Sequence, residues 1–109
     1  MSQIIEKPWG HEEILELNDR YCLKILKING GYRLSLQYHN IKHETLYILT
    51  GKWEIVHGSI IETFFPGNFI VILPKVLHRI SAIIDTTILE MGTPELNDII
   101  RILDDYGRV

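Results

Sequence analysis

Turn-forming residues interrupt this chain so often that no segment before residue 94 is long and periodic enough to be a helix. The turns fall at Asn18-Asp19, Asn29-Gly30-Gly31, Thr50-Gly51, His57-Gly58-Ser59, Pro66-Gly67-Asn68 and Ile84-Asp85. Between them lie runs of strand length, over 12–17, 20–28, 33–39, 44–50, 52–57, 60–65, 69–73, 78–84 and 87–91. Nineteen of the 109 residues are Ile, and side chains branched at Cβ pack well on a pleated surface. Many short strands with regular punctuation predict an all-β sandwich or barrel. Only the C-terminal stretch breaks the pattern. Leu96, Ile99, Ile100 and Leu103 recur at helical spacing after Thr93-Pro94-Glu95, which predicts a short helix closing one end of the barrel, stopped near Gly107.

Composition narrows the class. The length suits a single domain over 1–109, and 46% hydrophobic with 23% charged residues describes a folded globule. The formal charge of −3 comes with no basic run interleaved with aromatics, so a nucleic-acid partner is not expected. The opening residues lack the apolar stretch of a leader, and the longest apolar run, Phe69 to Leu73, is too short for a membrane helix. The lone Cys22 excludes an internal disulfide and fits a reducing cytoplasm; its place in an apolar strand predicts a buried, inert thiol.

Chemistry concentrates between Gly31 and Glu44. Residues two apart on a strand share a face, so Gln37 and His39 point together, with Ser35 and Arg33 behind them. Leu34, Leu36 and Tyr38 take the other face. A polar face turned into a barrel needs a partner for its buried groups, and a metal ion would supply one. Glu44 can return to the site after the turn at Asn40-Ile41-Lys42, His78 can join from a distant strand, and His43 is the rival ligand. Two imidazoles, a carboxylate and an amide oxygen suit zinc, manganese, iron or nickel without choosing among them, and zinc is the ion expected.

These residues carry a resemblance. Gly31-x5-Gln37-x-His39-x4-Glu44-x6-Gly51 and Pro74-x3-His78 resemble the two motifs of the cupin superfamily. More closely, the chain resembles the C-terminal domain of bifunctional mannose-1-phosphate guanylyltransferase/mannose-6-phosphate isomerase. The matching blocks are Lys7-Pro8-Trp9-Gly10 with Glu13, Leu34-Ser35-Leu36-Gln37-x-His39, and Leu89-Glu90-x-Gly92 through Asp98-Ile99-x-Arg101 to Tyr106-Gly107-Arg108. The resemblance implies a small double-stranded β-helix barrel whose metal, held by Gln37, His39, Glu44 and His78, assists interconversion of mannose 6-phosphate and fructose 6-phosphate. Its alternatives are another cupin enzyme on a sugar or sugar nucleotide, or a binding module without turnover, possibly paired with a separate guanylyltransferase chain. Lys42 stands where the family has Arg, and is the first candidate for a catalytic role and, with Arg33, for contacting a sugar phosphate at the pocket mouth. Leu46 replaces a family Trp. The segment from Pro74 to His78 is one residue short and lacks its small-residue turn, which can shift His78. A homodimer is expected, with Ile4–Trp9 covering a neighbour's sheet.

Overall fold

Alternation of apolar and polar residues resolves into eleven strands, and among the described residues, 2–109, there is no helix in the computed structural model. The strands are β1 (Gln3–Lys7), β2 (Gly10–Leu17), β3 (Cys22–Ile28), β4 (Leu36–Tyr38), β5 (Glu44–Thr50), β6 (Trp53–His57), β7 (Ile60–Phe64), β8 (Phe69–Ile72), β9 (His78–Ala82), β10 (Thr86–Gly92) and β11 (Ile100–Leu103). They form two antiparallel sheets, ordered β1-β2-β3-β10-β5-β8 and β11-β4-β9-β6-β7. The non-consecutive neighbours mean that the chain crosses repeatedly between sheets, so residues distant in sequence meet inside.

The inner faces hold the core. Leu26, Leu46, Ile48, Trp53, Ile55 and Ile88 are essentially inaccessible to solvent, each at an alternate position of its strand. Trp53 meets Phe64 edge to face, with ring centroids 5.3 Å apart, a favoured aromatic geometry. Cys22 is buried and free, and burial pushes its thiol pKa up, as expected of an inert sulfur. Gly10 is required where β2 begins its pairing with β3: a Cβ there would overlap the Lys27 carbonyl.

The expected C-terminal helix does not form. Leu96 and Asn97 lie in a turn, and residues 100–103 make β11, an edge strand paired with β4. Strand pairing wins because Ile99, Ile100 and Ile102 are branched at Cβ, and because β4 would otherwise present an open edge. Leu96 and Ile99 still face inward, lining a hollow with Ile5 and Ile14. A turn followed by a strand thus partly buries Leu96, Ile99 and Ile100 and leaves Leu103 exposed. At the opposite end of the chain, β1 pairs with β2 of its own sheet and leaves Ile4 exposed.

Candidate metal centre

Three strand ends and one loop build the site. Within β5 the inward positions run Glu44, Leu46, Ile48, and the parity extends back to Lys42, all four buried. His43 falls on the other parity and is exposed, which removes the rival ligand. His78 opens β9 opposite Gln37 of β4, and His39 follows β4 by one residue. The ligand atoms of His39, Glu44 and His78 all lie within 4.8 Å of one another, with all three residues buried.

Hydrogen bonds aim the two imidazoles. His39 Nδ1 faces the Asp98 carbonyl and His78 Nδ1 lies 2.9 Å from the Val76 carbonyl. A carbonyl only accepts, so each Nδ1 carries the proton and each Nε2 presents its lone pair. The two Nε2 atoms converge on Glu44 Oε1, at 3.3 and 3.6 Å. His39 Nε2 is buried with no hydrogen-bond partner. Lone pairs gathered around a carboxylate oxygen repel one another unless a cation lies among them, so the donor set fits a divalent ion. Gln37 lines the same cavity, and Ser35 Oγ donates to its Oε1 at 2.6 Å. That bond leaves the second lone pair of the amide oxygen for a further ligand role.

The surrounding charges follow from this geometry. Lys42 is buried, with Nζ 3.0 Å from both Glu44 Oε2 and Glu90 Oε2. Burial alone would lower its pKa, but the two carboxylates hold it above the ordinary lysine value. Burial likewise opposes ionisation of Glu44, yet the adjoining His39 imidazole and the Lys42 charge keep its carboxyl well below the carboxylate range. His39 is desolvated too, but the neighbouring Glu44 carboxylate leaves it raised, whereas burial dominates at His78 and lowers it. Burial and the nearby Glu44 charge raise Glu90, outweighing Lys24 and Lys42.

Two expectations about substrate contacts change here. Lys42 sits inside the barrel between two acids instead of at the pocket mouth. Space for its side chain comes from Gly92, whose missing Cβ would stand 3.3 Å from Lys42 Cε. Arg33 lies outside the cavity: its guanidinium makes two bonds to Asp105, at 2.6 and 2.9 Å. The backbone from 33 to 35 is not regular strand, being joined to Ser81 only by an isolated bridge, so the alternation through Gln37 does not extend to Arg33. Arg79 is structural, bonding the Leu34 carbonyl and Asp105.

Three contributors were not anticipated. Asp98 accepts the backbone N–H groups of Asn40, Ile41 and Lys42, at 3.0, 2.7 and 2.9 Å, and so shapes the loop between His39 and Glu44. Those bonds hold its carboxyl down at about 2. Lys24 and Glu90 are inward cross-strand partners, 3.4 Å apart, and extend the ionic network. The short segment before His78 does not displace it. Lys75 adopts φ +72°, and its N–H donates to the His39 carbonyl at 2.7 Å.

Comparison with known proteins places this architecture. An RmlC-like cupin from Shewanella frigidimarina superposes with a TM-score of 0.80 at 14% identity, over 89% of this chain and 87% of that one; the fold is that of a cupin. The chain belongs to the mannose-6-phosphate isomerase C-terminal family, whose profile matches residues 1–104. A mannose-1-phosphate guanylyltransferase of Escherichia coli is 26% identical over 110 residues, 96% of this chain and 23% of that protein. The xanthan biosynthesis protein XanB of Xanthomonas campestris pv. campestris is 25% identical over 109 residues, 95% of this chain and 23% of its own length. The chain therefore spans under a quarter of these relatives.

Proposed function

We propose that this chain is a metal-dependent sugar-phosphate isomerase of the mannose 6-phosphate to fructose 6-phosphate type. The observation that carries the reading is the convergence of two buried imidazole Nε2 atoms on one buried carboxylate oxygen. His39, Glu44 and His78, with Gln37 as the fourth donor, would hold the ion, zinc being the one expected. When bound, such an ion supplies Lewis acidity toward substrate oxygens. The chain's own residues do the rest. The Asp98 and Val76 carbonyls fix which imidazole nitrogen carries the proton. Lys42 holds Glu44 through its second oxygen, a positioning role that suits a buried ammonium better than reaching for a phosphate. Family membership supports a sugar phosphate as the substrate class. The free edge of β1 supports dimerisation through that strand.

The test is direct. Protein loaded with zinc, or with manganese, is given mannose 6-phosphate and assayed for fructose 6-phosphate. Turnover in the parent, with loss of both metal and turnover in His39→Ala and His78→Ala, is the expected result. A fully loaded protein that binds sugar phosphate without converting it would sink the isomerase reading in favour of a binding module.

A further inference from the structure

The cavity of the metal centre also carries cations that the ligand set leaves without a task. Arg101 of β11 is the register partner of Gln37 on β4, which in turn faces His78 on β9. Arg101 lines the same cavity as His39 and Glu44. Its Nε is buried with no hydrogen-bond partner. Among the described residues no carboxylate pairs with it, whereas its neighbours are engaged. Lys24 lies 3.5 and 3.4 Å from Glu12 and Glu90, Lys42 is held by Glu44 and Glu90, and Arg108 makes two bonds to Asp104. Burial and the nearby Arg108 charge both work against the positive charge of Arg101. A guanidinium held this way is under-satisfied, and its planar fork matches the oxygens of a phosphate.

Size decides where a ligand can lie. The cavity encloses about 40 Å³, room for a few waters and not for a hexose. Any sugar must therefore lie across the mouth. The side chains of Lys7 and Arg108 also line the cavity and remain about a quarter exposed, at 24% and 23%, which puts them on its rim.

We propose that Arg101, flanked by Arg108 and Lys7, binds the phosphate group of a phosphomonoester substrate whose reacting end lies at His39, Glu44 and His78. The proposal rests on the sugar-phosphate reading above, and assigns the phosphate to neither Lys42 nor Arg33. It gives the buried Nε–H an acceptor that the neighbouring carboxylates, Glu12 and Asp104, do not supply because they are taken up by Lys24 and Arg108.

Calorimetric titration of the metal-loaded full chain with mannose 6-phosphate, and separately with mannose, tests it. Arg101→Gln should weaken mannose 6-phosphate binding at least about tenfold, the loss of one charge-assisted pair. Arg101→Lys should recover part of the loss, and Lys27→Gln, on the outer face of β3, should change nothing. Mannose should bind all variants equally weakly. Thermal melts and metal content establish that each variant is folded. A measurement on the parent alone covers failure of a variant to fold: the Arg101 Nε–H resonance should shift on titration with inorganic phosphate. An unmoved resonance, or equal mannose 6-phosphate affinity in the parent and Arg101→Gln, would overturn the proposal. Absent turnover with intact Arg101-dependent binding would overturn the isomerase reading alone.

Discussion

The barrel interior is two different materials, and the boundary between them crosses three neighbouring strands, level between β3 and β10 and stepped by one inward row at β5. Inward positions of β3 read Cys22, Lys24, then Leu26, Ile28; those of β10, followed backwards, read Gly92, Glu90, then Ile88, Thr86. Their register pairs Lys24 with Glu90 and Leu26 with Ile88. On β5 the change comes one inward row earlier: Glu44 lies opposite Gly92, while Leu46 already faces Glu90 and Ile48 faces Ile88. One half is therefore apolar apart from Thr86, whose hydroxyl reaches the Lys52 and Ile84 carbonyls, and its burial stabilises the fold. In the other half burial opposes every charge, and only mutual pairing offsets that cost. A stability-driven core has no need of the second half. Its persistence beside a complete first half is the physical sign of a site.

That contrast can be broken most severely by one change on each side. Trp53→Ala should cost about 3–5 kcal/mol through lost burial and a cavity that neighbours cannot fill. Lys42→Met should cost a comparable ~3–5 kcal/mol for the opposite reason, because Glu44 and Glu90 then lie buried without their shared cation. Adding Glu90→Gln should return ~1–2 kcal/mol of the second loss, since it removes one stranded charge. Added to Trp53→Ala it should deepen the loss instead, because Lys24 and Lys42 keep their charges and lose a partner. Urea unfolding of the metal-free variants measures all four values. Identical behaviour of the two double mutants would show that the halves are not distinct.

A subtler break lies in the loop that joins the site to its support. Asp98→Ala removes the acceptor for three backbone N–H groups, while the Asp98 carbonyl that orients His39 remains. Metal affinity should fall ten- to a hundredfold, the usual effect of losing outer support. The pH dependence sharpens this. Asp98 has a folded pKa of about 2, below the ~3.9 of an unfolded chain. Its contribution is complete above the unfolded value and fades as pH falls through the folded one. Protection of the Asn40, Ile41 and Lys42 amides against exchange should thus survive to about pH 3, after acid has protonated the imidazoles and released the metal. Loss of amide protection together with the metal would contradict this order.

The polar half was the less legible of the two, for reasons that differ by residue. Gln37 and His39 announce themselves because a two-residue alternation puts them on one face, and Glu44 and His78 follow from the motif spacing. Lys24 and Glu90 did not, because a single charge in an apolar row looks like a surface residue until its cross-strand partner is known. Asp98 was invisible as a support: its partners lie 56 to 58 positions away, and only topology brings them together. The strands were readable almost throughout, since turns and β-branched runs are local signals. The C-terminal segment misled because the spacing of Leu96, Ile99, Ile100 and Leu103 fits a turn plus a strand as well as a helix. Choosing between them depends on the unpaired edge of β4, which no local pattern reveals.

The smallest test concerns how His78 is delivered to the polar half. Three residues before it, Lys75 holds φ +72°, a region that costs a residue with a Cβ roughly 1–2 kcal/mol relative to glycine. Two contacts offset the strain: the Lys75 N–H bond to the His39 carbonyl and the Nζ bond to Asn40 Oδ1 at 2.9 Å. Lys75→Gly keeps the first and discards the second, which is exposed and worth little. It also loosens the unfolded chain, which works against the gain. The balance should be a stabilisation of ~0.5 kcal/mol, with metal affinity unchanged because His78 keeps its place. Lys75→Val should do the reverse, since a branched Cβ tolerates this backbone poorly, and here metal affinity should fall along with stability. A destabilised Lys75→Gly would mean that the Asn40 contact, and not backbone geometry, sets the approach of His78 to the site.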